Sequence, residues 1–139
     1  MKKNHLEILC CPNTFKSLKL IDPVFEGDDI ISGFLLADNY KYLIRNGIPR
    51  FVDDDGYSKN FDWQWNKWPK IQFETENIGT PMEGYTRNMF KKITELSEKK
   101  IKGKVVLDIG SGAGRFVDIV LEMGGIPVAL DNSYAIDVS

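Results

Sequence analysis

Three glycines at alternate positions, Gly110, Gly112 and Gly114, separate an apolar run from an amphipathic one, and carboxylates stand on either side of them. Asp108 precedes the first glycine by two residues, and Asp131 follows it by 21. Glycines at this spacing let the backbone bend sharply, with positive φ where needed. They also remove the Cβ atoms that would hold a ligand off the main chain. A helix opening directly after the bend aims amide N–H groups at that ligand. A carboxylate at the tip of the next strand can accept the hydroxyl hydrogens of a ribose. Loop and distant acid together therefore specify a nucleoside site more firmly than either part alone.

The identity of the nucleoside turns on charge and size. The dinucleotide fingerprint is G-x-G-x-x-G or A, and the sixth position counted from Gly110 is Arg115. That side chain is too large for the close helix–strand packing which the third glycine of the fingerprint permits. Asp108 would repel a pyrophosphate. It would attract an ammonium or sulfonium group in a partly desolvated cleft, and S-adenosylmethionine carries both. Two alternatives remain open: an NAD-dependent oxidoreductase, and a non-catalytic protein-interaction module whose glycine loop is vestigial.

The elements that must position these residues are legible nearby. Lys104 to Ile109 reads as a buried parallel strand, apolar and rich in β-branched residues. Arg115 to Met123 reads as a helix with Phe116, Ile119, Val120 and Met123 on one face, stopped by Gly124-Gly125. Ile126 to Leu130 is a second strand with Asp131 at its C-terminal end. The order strand, tight loop, helix, strand is a compact βαβ unit, with a right-handed crossover expected.

Upstream, residues 1–52 carry short β-type runs. Leu6 to Leu9 is apolar, Ser17 to Ile21 alternates, and Ile30 to Leu36 and Tyr40 to Ile44 flank a hairpin turn at Ala37-Asp38-Asn39. Asn46-Gly47 is another turn, ahead of a last short strand from Ile48 to Val52. Asp53-Asp54-Asp55-Gly56 marks a break. Residues 53–103 then hold an aromatic cluster (Tyr57, Phe61, Trp63, Trp65, Trp68) and an amphipathic helix from Gly84 to Lys99. Tyr85, Met89, Ile93 and Leu96 fall on one face of that helix.

The whole chain has 139 residues, 42% hydrophobic and 27% charged, with a net charge of −2. The balance is that of a globular protein and gives no mark of a nucleic-acid or anionic-membrane binder. No apolar run approaches the roughly 20 residues of a membrane span, and the N-terminal apolar stretch is too short for a signal peptide. A cytoplasmic location is expected. The adjacent Cys10 and Cys11 cannot readily bond to each other and read as two buried or half-buried thiols. The single histidine, His5, reads as a surface or capping residue.

Val105 to Phe116 (VVLDIGSGAGRF) resembles the first motif of class I S-adenosylmethionine-dependent methyltransferases, and Val128 to Ser133 (VALDNS) resembles their second. The resemblance implies that Asp108 contacts the methionine amine. It lays Gly110, Ser111, Gly112 and Gly114 along the methionine and ribose. It assigns the ribose hydroxyls to Asp131, with Asn132 beside it. Residues 104–139 would then open a Rossmann-like domain, in an α/β (α+β overall) chain. Residues 5–14 and 40–52 resemble the small Trm112-like zinc-ribbon-type domain. That module usually holds zinc with two C-x-x-C pairs. Here Cys11 matches the first ligand, while Thr14, Leu35 and Asp38 occupy the other three positions, so no metal is expected. Phe61 to Lys70 resembles a segment found between these two modules. It reads as a hydrophobic clasp, or as a lid in which Trp63 or Trp65 faces the sulfonium. Arg87 reads as a solvated helix arginine or a partner for the methionine carboxylate.

Residues 104–139 suffice for two strands and one helix, whereas a complete doubly wound methyltransferase domain has about six or seven strands. The expectation is an N-terminal fragment that binds cofactor weakly and catalyses nothing alone. Its parent would methylate a small-molecule acceptor. A half-sheet of this kind exposes apolar face and edge, to be covered by residues 57–102 or by a second copy of the chain.

Overall fold

The computed structural model describes residues 1–52 and 72–138. The expected aromatic clasp or lid, including Trp63 and Trp65, lies outside them. The protein is mixed α/β, with one antiparallel and one parallel sheet, and divides into two compact units, Met1–Asp54 and Asp55–Ser139.

The first unit is a four-stranded antiparallel meander: β1 (Lys19–Glu26), β2 (Asp29–Ala37), β3 (Tyr40–Arg45) and β4 (Ile48–Arg50), in the order β1-β2-β3-β4. The expected β2 to β4 stand within two residues of their bounds. β1 starts later and runs further than Ser17 to Ile21, because a Gly27-Asp28 turn, with Gly27 at φ +58, joins it directly to β2. Asn46 and Gly47 both take positive φ (51° and 74°), the backbone that a two-residue hairpin of right-handed twist requires. Pro23 is tolerated because β1 is an edge strand that bulges between Ile21 and Val24. Gly33 sits opposite the bulge at φ +140. A Cβ there would come within 3.1 Å of the Ile21 carbonyl oxygen and of Pro23 Cα.

Leu6 to Leu9 is not extended: Lys3–Ile8 forms a 3-10 turn, and the Lys2 amide donates to His5 Nδ1 at 3.3 Å. His5 is thus exposed and capping, as its position suggests. The Cys10 thiol is exposed and only Cys11 is buried, which corrects the expectation of two shielded thiols. Cys11 joins Leu18, Ile30, Leu35, Ala37, Tyr42 and Ile44 in the core of this unit. Leu35 is fully buried in that core, and Asp38 pairs with Lys16 at 3.0 Å. Cys11 Sγ lies 3.2 Å from the Tyr42 hydroxyl, which accepts from Asn13 Nδ2 at 2.8 Å. Burial by itself raises the Cys11 thiol, but the Thr14 and Tyr42 hydroxyls and the amides of Asn13 and Thr14 outweigh it, bringing it down to about 7. Among the described residues no three His, Cys, Asp or Glu side chains gather to hold a metal.

The second unit contains α1 (Tyr85–Thr94), α2 (Glu98–Ile101), β5 (Val105–Ile109), α3 (Arg115–Glu122) and β6 (Ile126–Leu130), with 3-10 turns at Glu74–Asn77 and Tyr134–Val138. The single helix expected from Gly84 to Lys99 is two. Glu95 takes a left-handed conformation (φ 53°) and its amide returns to the Lys91 carbonyl, which closes α1. Its buried face is Thr86 and Phe90, rotated from the expected one; Tyr85 and Ile93 are exposed. Phe90 packs against Phe116 of α3, with ring centroids 5.5 Å apart. Ile101, Ile119, Val120 and Met123 complete the cluster, so the expected inner face of α3 holds. Gly125 lies so close to this cluster that a Cβ would meet Ile101 Cγ2 at 2.6 Å and Val120 Cγ1 at 2.7 Å.

β5 and β6 pair in parallel, Val105 with Ile126 through Ile109 with Leu130. The expectation that β5 is buried on both faces is corrected. Val105, Leu107 and Ile109 are 54% to 75% exposed, and Ile126 and Leu130 are about as open. The strand alternates because α3 covers one face alone among the described residues. Among these residues no helix is long and apolar enough to cross a membrane.

Candidate functional site

The parallel pairing of β5 and β6 brings both expected carboxylates to the same end of the sheet. Asp108 is the fourth residue of β5, and Asp131 follows the last residue of β6. Between them the chain bends through Gly110 (φ 75°), Gly112 (φ 55°) and Gly114 (φ 94°), all positive. Gly114 is the N-cap of α3. A Cβ on Gly110 would stand in open space, so glycine serves the conformation there and leaves the main chain approachable.

The bend is fastened to β6. The Gly110 and Ser111 amides donate to the Leu130 carbonyl at 2.7 and 3.2 Å, and the Gly114 amide donates to the Ser111 carbonyl at 2.9 Å. The Gly112 amide donates to Asp131 Oδ2 at 2.7 Å. These four loop amides are satisfied within the protein. Asp131 Oδ1 accepts from the Ser133 amide at 2.8 Å and the Ser133 hydroxyl at 2.6 Å. Desolvation raises the Asp131 carboxyl, but the hydrogen bonds from Ser133 and Gly112 outweigh it and hold it below the usual carboxylate range. Asn132, beside it, is exposed.

Asp108 differs from Asp131 in kind. Its Oδ2 is shielded from solvent and has no hydrogen-bond partner. Desolvation raises its carboxyl above the ordinary value. The Arg115 guanidinium opposes that shift, and the Asp131 charge adds to it. The Ser111 hydroxyl, in a residue 7% exposed, also lacks a partner. Buried polar atoms of this kind are costly and need explaining.

A pocket of about 220 Å³ opens on the loop, between Gln72 and Phe73 on one side and Gly110 to Ala113 with Arg115 on the other. Gln72 and Phe73 carry no local signal for this role. They are delivered by Glu74, whose carboxylate caps α1 from upstream. Its Oε2 accepts from the Gly84 amide at 2.8 Å and its Oε1 from the Arg87 amide at 2.7 Å. The Thr86 hydroxyl adds a bond to the Gln72 carbonyl at 3.0 Å. The Arg87 guanidinium stays partly open to solvent, as a helix arginine is expected to, and pairs at the surface with Glu122 at the end of α3. No protein-family model matches the chain, and no curated protein matches it.

Proposed function

We propose that residues 104–138 form the cofactor-binding start of a Rossmann-like methyltransferase domain and that the cofactor is S-adenosylmethionine. The observation that carries this reading is the pair of unlike carboxylates at one end of β5 and β6. One, Asp131, is ionised and fastened to the glycine loop; the other, Asp108, has a shielded oxygen without a partner. The residues fit the group. Asp108 would take the ammonium, the loop would lie along the methionine and ribose, and Asp131 would take the ribose. When bound, S-adenosylmethionine supplies a methyl group already activated by the sulfonium, and the protein's task is to hold donor and acceptor in line. The acceptor in this reading is a small molecule.

Two features argue against a dinucleotide. The amides of Gly110, Ser111, Gly112 and Gly114 are satisfied internally, so these four are not offered to a phosphate at the bend. A phosphate would also meet the Asp108 carboxylate. The apolar face of β5 and β6 belongs to the proposal too, with a second copy of the chain as its cover, read out by sedimentation velocity. The direct test is to titrate the chain with S-adenosylhomocysteine while following backbone amide resonances. The expected result is a saturable shift of Gly110 to Ala113 and of Asp131 to Ser133. Shifts that avoid both segments would remove the reading.

A further inference from the structure

We infer that Ser133 tunes the affinity of the site for a ribose by competing with it for Asp131. This rests on the nucleoside reading above and adds to it a residue whose role is to weaken binding. An ionised carboxylate offers about four lone-pair sites, two on each oxygen. Asp131 is held in its ionised form and has three of them filled. Both sites on Oδ1 are taken, by the Ser133 amide at 2.8 Å and the Ser133 hydroxyl at 2.6 Å. One site on Oδ2 is taken by the Gly112 amide at 2.7 Å.

A ribose presents two adjacent hydroxyls, each seeking an acceptor, and the bonds among the described residues leave one site. The amide bonds fix the loop and the turn after β6, so neither is free to leave without unfolding that end of the unit. The Ser133 hydroxyl is different. Rotation about the Cα–Cβ bond alone carries its oxygen away from Oδ1, and gives up with it the contact that oxygen accepts from the Ala135 amide at 3.2 Å. Full engagement of a ribose therefore requires the Ser133 hydroxyl to withdraw. The ligand gains one charge-assisted hydrogen bond at the cost of another of the same kind. In the free protein the hydroxyl keeps Asp131 satisfied, and ligand binding is weaker by what its release costs.

The test is calorimetric and uses the full chain with two probes, S-adenosylhomocysteine and its 2′,3′-dideoxy analogue. Ser133→Ala is expected to bind S-adenosylhomocysteine about tenfold more tightly than the unmodified chain, the size set by one hydrogen bond to a charged group. The dideoxy analogue should bind both chains equally. Ser133→Thr, which keeps the hydroxyl, should behave as the unmodified chain. It also serves as the folded comparison if loss of the Ala135 contact unsettles the alanine variant. In the unmodified chain the dideoxy analogue should lose less than tenfold against the parent ligand. Unchanged or weaker binding by a folded Ser133→Ala, or an equal gain for both probes, overturns the role of Ser133 and leaves the nucleoside reading standing. No binding of either probe to any of the three chains overturns both.

Discussion

At the residue scale, the site rests on two aspartates that the same sheet end treats differently. Asp131 is surrounded by donors and held ionised; Asp108 is desolvated, with a shielded oxygen that nothing in the protein satisfies. A group whose carboxyl is raised on folding favours the folded state in its protonated form, and that contribution is lost as pH rises through the folded value. Desolvation thus makes the Asp108 charge a cost to folding, and in the proposed function that charge serves binding. Asp108→Asn is expected to leave the chain as stable or to stabilise it by up to about 1 kcal/mol, a small effect because the group is only half-buried. It should also weaken S-adenosylhomocysteine binding at least about tenfold, the loss of one charge-assisted contact. Urea denaturation and calorimetry on the same sample check both halves. Binding by the unmodified chain should weaken toward acid, beginning above the range of an ordinary carboxylate, whereas binding by the Asn variant should lack that step. Both aspartates and the glycines were legible from type and spacing. Ser133 is less legible, although a serine two residues after an aspartate is a local turn signal.

At the element scale, hairpins read more easily than helix faces. Asn46-Gly47 names its own turn, and the strands beside it follow. The helix after Gly84 was harder, because Tyr85, Met89 and Ile93 keep helical spacing as well as Thr86 and Phe90 do. The choice between the two stripes was made by the contact of Phe90 with Phe116, 26 positions away, which periodicity does not contain. The same holds for Glu74, which caps α1 from 10 to 13 residues upstream and so escapes any local capping pattern. Gly125 reads as a helix stop, but its larger constraint is space. Gly125→Ala is expected to destabilise the second unit by about 1–3 kcal/mol through overpacking against Ile101 and Val120. Gly103→Ala, where a Cβ meets nothing within 4 Å, should cost only the strain of its positive φ. Chemical denaturation of the two variants side by side separates crowding from backbone strain.

At the scale of the whole molecule, the chain is an antiparallel β unit and a second unit whose two parallel strands are covered on one face among the described residues. The first unit is held by its own apolar core. Leu35 is in the core, and Cys11 is held by Tyr42 and Asn13 in a hydrogen-bonded chain. For the second unit the proposed function turns on electrostatics: a desolvated carboxylate ahead of a glycine bend would select a cationic nucleoside over a phosphorylated one. Isothermal titration of the intact chain with S-adenosylhomocysteine and, separately, with NADH measures this most directly. The account predicts saturable binding of S-adenosylhomocysteine and none of NADH at the same concentrations; tighter binding of NADH would contradict it.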